Sequence, residues 1–201
     1  MGNHPVPGKL VSMDHVELGQ AVLSNVFAVA FDASKVFHKP GAPRGILSGN
    51  SFPGYLLTLN YPQSKIELRA GELPPADGNQ ILDFDASGPL ISLPIRVGEI
   101  EMPADVDSGS VEGVMLPDKY AKVLPLSGKL TEGDVRHTVD ATVHHQKGML
   151  NGVMKVGSVS VQNPEIMFSD RSPDANLGTK FLSRFVVTLD RKNHRIQLKQ
   201  G

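Results

Sequence analysis

Seven consecutive residues near the middle of the chain combine acids, hydroxyls and a glycine at a spacing suited to chemistry. They are Ala104-Asp105-Val106-Asp107-Ser108-Gly109-Ser110, followed by the apolar Val114-Met115-Leu116-Pro117. An Asp at the end of a strand, followed by a small hydroxyl residue and Gly, makes a tight turn. In such a turn the hydroxyl and backbone N–H groups can hydrogen-bond a carboxylate and hold it ionised. The same three residues are also ordinary turn chemistry, so the tripeptide alone leaves both readings open. His137, His144 and His145, with Asp134 or Asp140, have the residue types of a metal site. His144 and His145 are adjacent, however, and in a strand would point to opposite faces, which argues for plain strand or loop histidines. The Asp83/Asp85 and Glu99/Glu101 pairs read as solvated, and Met149, Met154 and Met167 as packing residues in strands.

The elements that must position Asp107 are announced by an internal repeat. Gly49-Asn50-Ser51-Phe52, Tyr55-Leu56-Leu57-Thr58-Leu59-Asn60 and Lys65-Ile66-Glu67-Leu68 recur later in the chain. The second copy is Gly178-Thr179-Lys180-Phe181, Phe185-Val186-Val187-Thr188-Leu189-Asp190 and Arg195-Ile196-Gln197-Leu198. Thr58, Leu59, Ile66 and Leu68 match Thr188, Leu189, Ile196 and Leu198 at an offset of 130. Upstream, Gly19, Asn25 and Asp32 match Gly157, Asn163 and Asp170 at an offset of 138. The extra residues of the first copy fall between 33 and 44 and read as a surface loop with Pro40, Gly41 and Pro43.

Within each copy, apolar and polar residues alternate with period two and end at a four-residue turn, which predicts a hairpin of strands. One short helical turn is expected before each hairpin, at 49–52 and 178–184. Residues 71–89, with Pro74-Pro75, Asp77-Gly78 and Gly88-Pro89, read as a linker with one apolar stretch at Ile81-Leu82. The second copy is preceded by Asp107-Ser108-Gly109, whereas the first has no equivalent acidic turn before it.

Composition narrows the class of protein. The 201 residues carry a net charge of −1, with Lys and Arg scattered, so no nucleic-acid or anionic-membrane footprint is visible. Fifteen Pro and twenty Gly without a Trp favour short strands and turns over helix bundles. The absence of Cys excludes disulfides, thiolate catalysis and Cys-ligated zinc. No apolar run approaches the roughly 20 residues of a membrane span, and no signal peptide is visible.

The Asp107-Ser108-Gly109 turn with its apolar flanks, the later Leu177-Gly178 with Phe181, and the 185–190 strand together resemble the retropepsin-like aspartic peptidases. The bacterial, pepsin-like members with two tandem lobes are the most similar. The resemblance implies an all-β fold. Residues 89–201 would form a complete closed β-barrel lobe, 72–88 a linker, and 10–71 the back half of a preceding lobe with Ile46-Leu47-Ser48-Gly49 as its later signature. Carried over by position, Asp107 is the catalytic aspartate, Ser108 braces the turn, and Gly109 permits it. Ser110 would bond the outer carboxylate oxygen, and Leu177 and Gly178 belong to the second signature, beside the substrate. Three features depart from the family pattern: Asp105 and Asn176 stand where apolar residues are usual, and no Tyr lies between Leu116 and Leu150 at an obvious flap tip, Tyr120 being too close to the preceding strand.

The activity implied is endopeptidase hydrolysis of peptide or protein substrates, with water as nucleophile and no cofactor. It requires two carboxylates sharing one proton, and one turn of this kind supplies only one. The second would come from Asp107 of another copy in a homodimer, or from an N-terminal segment missing here. The family also suggests a periplasmic or secreted location. Region 117–152 would host a flap over the cleft, with strands around Val135, Val139 and Val143. The competing reading is an inactive aspartic-peptidase-like module that binds peptides or protein partners.

Overall fold

The computed structural model describes residues 7–32, 45–52, 54–133, 136–137, 142–143, 145–170 and 172–201. The first copy of the repeat forms β1 (Gly8–Leu18), β2 (Ala21–Phe31), β3 (Leu56–Asn60) and β4 (Lys65–Arg69). Then follow β5 (Ile81–Asp83), β6 (Ser92–Val97), β7 (Ile100–Asp107), β8 (Val114–Pro117) and β9 (Leu126–Glu132). Two residue pairs, β10 (Arg136–His137) and β11 (Thr142–Val143), make a small ladder. The second copy closes the chain with β12 (His145–Leu150), β13 (Val153–Val156), β14 (Val159–Gln162), β15 (Glu165–Ser169), β16 (Ala175–Gly178), β17 (Phe185–Asp190) and β18 (Arg195–Gln200). Among the described residues helix is confined to single turns, Gly49–Ser51, Asp118–Lys122 and α1 (Thr179–Leu182). The helical turns expected before the two hairpins are therefore present, and the fold is all-β.

The backbone obeys the repeat more faithfully than the side chains do. Among the described residues, four that are not glycine have positive φ, and they form two repeat pairs: Asn25 with Asn163, and Ser64 with His194. Gly19 and Gly157, at φ 62 and 56, add a third pair. Matching left-handed residues fix matching turns, because this backbone region is costly for ordinary side chains. The same chain path is thus traced twice.

Nine strands form one sheet in the order β14-β13-β6-β7-β16-β8-β15-β12-β9, and five form another in the order β4-β3-β17-β18-β5. The nine-stranded sheet is open rather than a closed barrel. Its end strands β14 and β9 present mostly half-exposed or exposed residues, so joining them would bury little apolar surface. Its inward-facing Leu93, Ile95, Val97, Leu116, Met154, Ile166 and Phe168 are essentially buried and pack against Val187, Ile196 and Leu198 of the smaller sheet.

The smaller sheet holds the two copies together. β3 and β17 are antiparallel, with Thr58 opposite Thr188 and Leu57 opposite Leu189. Thr58 faces its own equivalent, and the flanking pairs Leu57–Leu189 and Leu59–Val187 interchange, so a local two-fold axis passes between the threonines, whose hydroxyls hydrogen-bond at 3.0 Å in the interior. Residues 72–88 are more than a tether. They contribute β5 to this sheet, and Leu73 packs with Leu56 and Ile81 on its other face. Leu73 N–H donates to Asp190 Oδ2 at 2.8 Å, and an Arg195 guanidinium N–H donates to the Leu73 carbonyl at 2.9 Å.

Candidate active site

Asp107 is the last residue of β7, and its surroundings are built by an exchange of strands. β7 and β8 are joined by the 108–113 turn, yet they do not pair with one another. β16 runs between them, parallel to β7 and antiparallel to β8. Gly178 lies directly opposite Asp107, Leu177 opposite Val106, and Asn176 opposite Asp105. The turn is tied to α1 and the strand before it. The Gly178 N–H donates to the Gly113 carbonyl at 2.8 Å, Thr179 N–H to the Ser110 carbonyl at 2.7 Å, and Lys180 N–H to the Glu112 carbonyl at 3.0 Å. The Thr179 hydroxyl also donates to the Ser110 carbonyl.

This closeness explains Gly178. A Cβ there would lie 2.4 Å from the Glu112 carbonyl oxygen and 2.9 Å from that of Ser110, so only glycine lets the turn approach the strand. The second signature read from sequence is thus the floor on which the acidic turn rests.

The half-buried Asp107 carboxylate has a distinct partner at each oxygen. Gly109 N–H donates to Oδ1 at 2.9 Å, and Asn176 Nδ2 donates to Oδ2 at 3.3 Å. The expected role of Ser110 differs from its observed one. Its hydroxyl accepts from Glu112 N–H at 3.4 Å and its carbonyl from Thr179, while Asn176 meets the outer oxygen of Asp107. Ser108 is exposed and lines a cavity of about 480 Å³ with Leu47, Gly49, Leu57, Ile66 and Leu189.

Leu177, expected beside the substrate, is fully buried at 0% exposure and packs in the core. Gly178 is likewise buried beneath the turn. Both belong to the support of the site.

Sequence reasoning treated Asp105 and Asn176 as two separate departures. The structure brings them together as register partners beside Asp107. Burial first, then the negative charges of Asp174 and Asp107, hold the Asp105 carboxyl above its ordinary range. A readable signal existed: both departures replace an apolar residue with one able to hydrogen-bond, two residues before a signature residue.

Among the described residues no group of three metal-ligating side chains converges. Asp134, Asp140 and His144 lie outside the described residues, as do Val135, Val139 and the loop at 33–44. His145 is buried on β12, beneath Gly133. Met154 and Met167 are buried packing residues as expected, whereas Met149 is exposed. No described helix is long and apolar enough to cross a membrane.

No family model and no curated protein matches the chain. Solved structures do. A retropepsin-like aspartic protease from Rickettsia conorii aligns with a TM-score of 0.46 and 19% identity, over 59% of this chain and 87% of that one. The EIAV protease complexed with the inhibitor HBY-793 aligns with a TM-score of 0.40 and 14% identity, over 49% of this chain and 89% of that one. In part of its length, then, this all-β chain is similar in structure to retropepsin-like aspartic proteases.

Proposed function

We propose that the chain is part of an aspartic endopeptidase and supplies Asp107 as one of its two catalytic carboxylates. The observation that carries this reading is the setting of Asp107. It is a half-buried acid at a strand end, bonded at both oxygens, in a turn braced by an inserted strand. In the working dyad two acids share one proton, because like charges so close do not both ionise. The ionised member takes a proton from the attacking water as the water's oxygen bonds the peptide carbonyl carbon. The protonated member hydrogen-bonds the carbonyl oxygen. The pair titrates as a unit, so its pH profile belongs to both acids.

The internal two-fold axis supports a particular source for the second acid. β3 already occupies the edge of β17 that a second lobe would use, which disfavours a homodimer built on that axis. By the same symmetry, a segment resembling residues 81–107 would pair with the outer edge of β4, as β5 pairs with β18. Its acidic turn would then lie beside Gly49, the counterpart of Gly178, in the cavity lined by Ser108. The second carboxylate comes from such a segment.

Cleavage of unfolded protein substrates between pH 3 and 7 tests the proposal. Asp107→Asn is expected to reduce it at least about a hundredfold in the assembled protein. Undiminished cleavage would remove Asp107 from the mechanism. Peptide binding without cleavage across that range would favour the inactive binding module.

A further inference from the structure

We propose that Asn176 and Asp105 are positioning residues for Asp107, with the protonation state of Asp105 deciding which way the Asn176 carboxamide faces. The proposal rests on the reading of Asp107 as a catalytic carboxylate. A carboxamide has one accepting end and one donating end. The donating end of Asn176 reaches Asp107 Oδ2 at 3.3 Å. Its accepting end, Oδ1, is buried with no hydrogen-bond partner among the described residues, a costly condition for a carbonyl oxygen.

A donor for that oxygen is available next door. Asp105 is the register partner of Asn176 across the parallel β7–β16 pair. Strand alternation puts Asp105 and Asp107 on the same face of β7, two residues apart. A neutral Asp105 can therefore donate its O–H to Asn176 Oδ1, locking the carboxamide with Nδ2 towards Asp107.

An ionised Asp105 reverses the preference. It has only acceptors, so it competes with Asp107 for the Nδ2 hydrogens and adds a second negative charge beside it. Among the described residues the charged groups acting on Asp105 are both acids, Asp174 and Asp107. From β6 the facing residue is Ser92, and from β8 Met115 lies opposite Asn176; neither is charged. Burial and these two charges favour the neutral form of Asp105, so it stays protonated to a higher pH than an ordinary carboxyl.

The Asn176 side-chain amide resonances of the 201-residue chain, followed by NMR from pH 3 to 8, test this without any cleavage assay. In the wild type they should include a step that belongs to Asp105, centred above the ordinary Asp range, beside any response to Asp107, which Asn176 also touches. Asp107→Asn should leave the Asp105 step by itself and lower its midpoint, because a like charge has gone. Adding Asp105→Asn to Asp107→Asn, which keeps a neutral donor of the same shape, should abolish the step. A flat titration in Asp107→Asn, or a step that survives in the double variant, overturns the proposal. In the assembled enzyme Asp105→Asn should shift the alkaline limb of the kcat profile upward with KM little changed; an unmoved limb also counts against it. Absence of cleavage would sink the peptidase reading and leave the NMR result standing.

Discussion

Gly178 and Gly49 hold the same place in two copies of one motif, yet their surroundings are opposites. A methyl group on Gly178 would collide with the Glu112 carbonyl at 2.4 Å; one on Gly49 would rest at 3.7 Å from Leu189 and 3.8 Å from Leu57. Gly157 and Gly19 repeat the contrast. The Asn79 carbonyl oxygen would be 2.2 Å from a Cβ on Gly157, and no described residue lies within 4 Å of one on Gly19. In the second copy, both crowding groups belong to the segment before its hairpins, residues 79–113. The first copy has kept the shape that receives such a segment without, among the described residues, the segment itself. On the proposed reading a duplicated frame with one furnished site is half of an active site, and this comparison is the physical reason to look outside these residues for the second acid.

The largest test of the comparison uses its most unequal pair. Ile196 is 0% exposed between β17 and β5, whereas its counterpart Ile66 is 66% exposed on β4. Ile196→Ala should cost about 2–5 kcal/mol in urea denaturation, and Ile66→Ala should stay within about 0.5 kcal/mol. Equal costs would mean that the outer face of the first copy is already covered. Addition of the proposed segment should raise the cost at Ile66 towards that at Ile196.

Next in size are the glycines themselves. Gly178→Ala forces the acidic turn off its floor and should destabilise by about 1–3 kcal/mol, with an altered environment for the Asp107 amide in NMR spectra. Gly49→Ala should be nearly neutral in the chain alone. If Gly178→Ala were neutral as well, the close approach of the turn to β16 would not be what holds the site.

How much of this was legible in the residues depends on the range over which each feature is determined. The equivalence of Thr58 and Thr188 follows from identical residues at a constant offset, and the Asp107 turn from three neighbours in the chain, whereas the pairing of β3 with β17 is a long-range contact. The role of Asn176 depends on β16 entering between β7 and β8, a contact across 69 residues that no local pattern encodes. β5 is three residues long amid Pro and Gly, too short for its periodicity to separate it from a linker. Openness of the large sheet is decided by its end strands β9 and β14, and period-two alternation is the same whether or not a sheet closes. The apolar character of Leu177 does not by itself distinguish a cleft wall from the core in which it lies.

The two-fold axis offers a finer test. Each threonine hydroxyl there has the other as its partner at 3.0 Å. Thr58→Val leaves the buried Thr188 hydroxyl without it and should cost about 1–3 kcal/mol. Thr58→Val with Thr188→Val removes both polar groups and should recover most of that loss. A double variant as unstable as the sum of the singles would mean that the hydroxyls serve the two copies independently, and the axis would lose its energetic meaning.

The smallest effect comes from a single-atom difference between the copies. Asn60 and Asp190 are equivalent, and each caps its turn in the same way, accepting from Gln63 N–H and Asn193 N–H respectively, both at 3.1 Å. Only Asp190 is an acid. Burial pushes its carboxyl upward, but hydrogen bonds from Asn193 and Leu73, with the nearby Arg195 charge, outweigh this and leave it below its ordinary value. A depressed folded-state pKa means that the unfolded chain binds the proton more tightly, so stability from Asp190 is complete above the unfolded carboxyl range. It is lost as pH falls through the lower, folded value. Asp190→Asn should therefore be less stable than wild type at pH 7, since its new amide hydrogens confront the Leu73 and Asn193 donors. The gap in urea midpoint should narrow as the pH falls below about 4, the ordinary unfolded Asp range. A gap that is constant with pH would show that the charge of Asp190 contributes nothing beyond its shape, making the two turns energetic as well as structural equivalents.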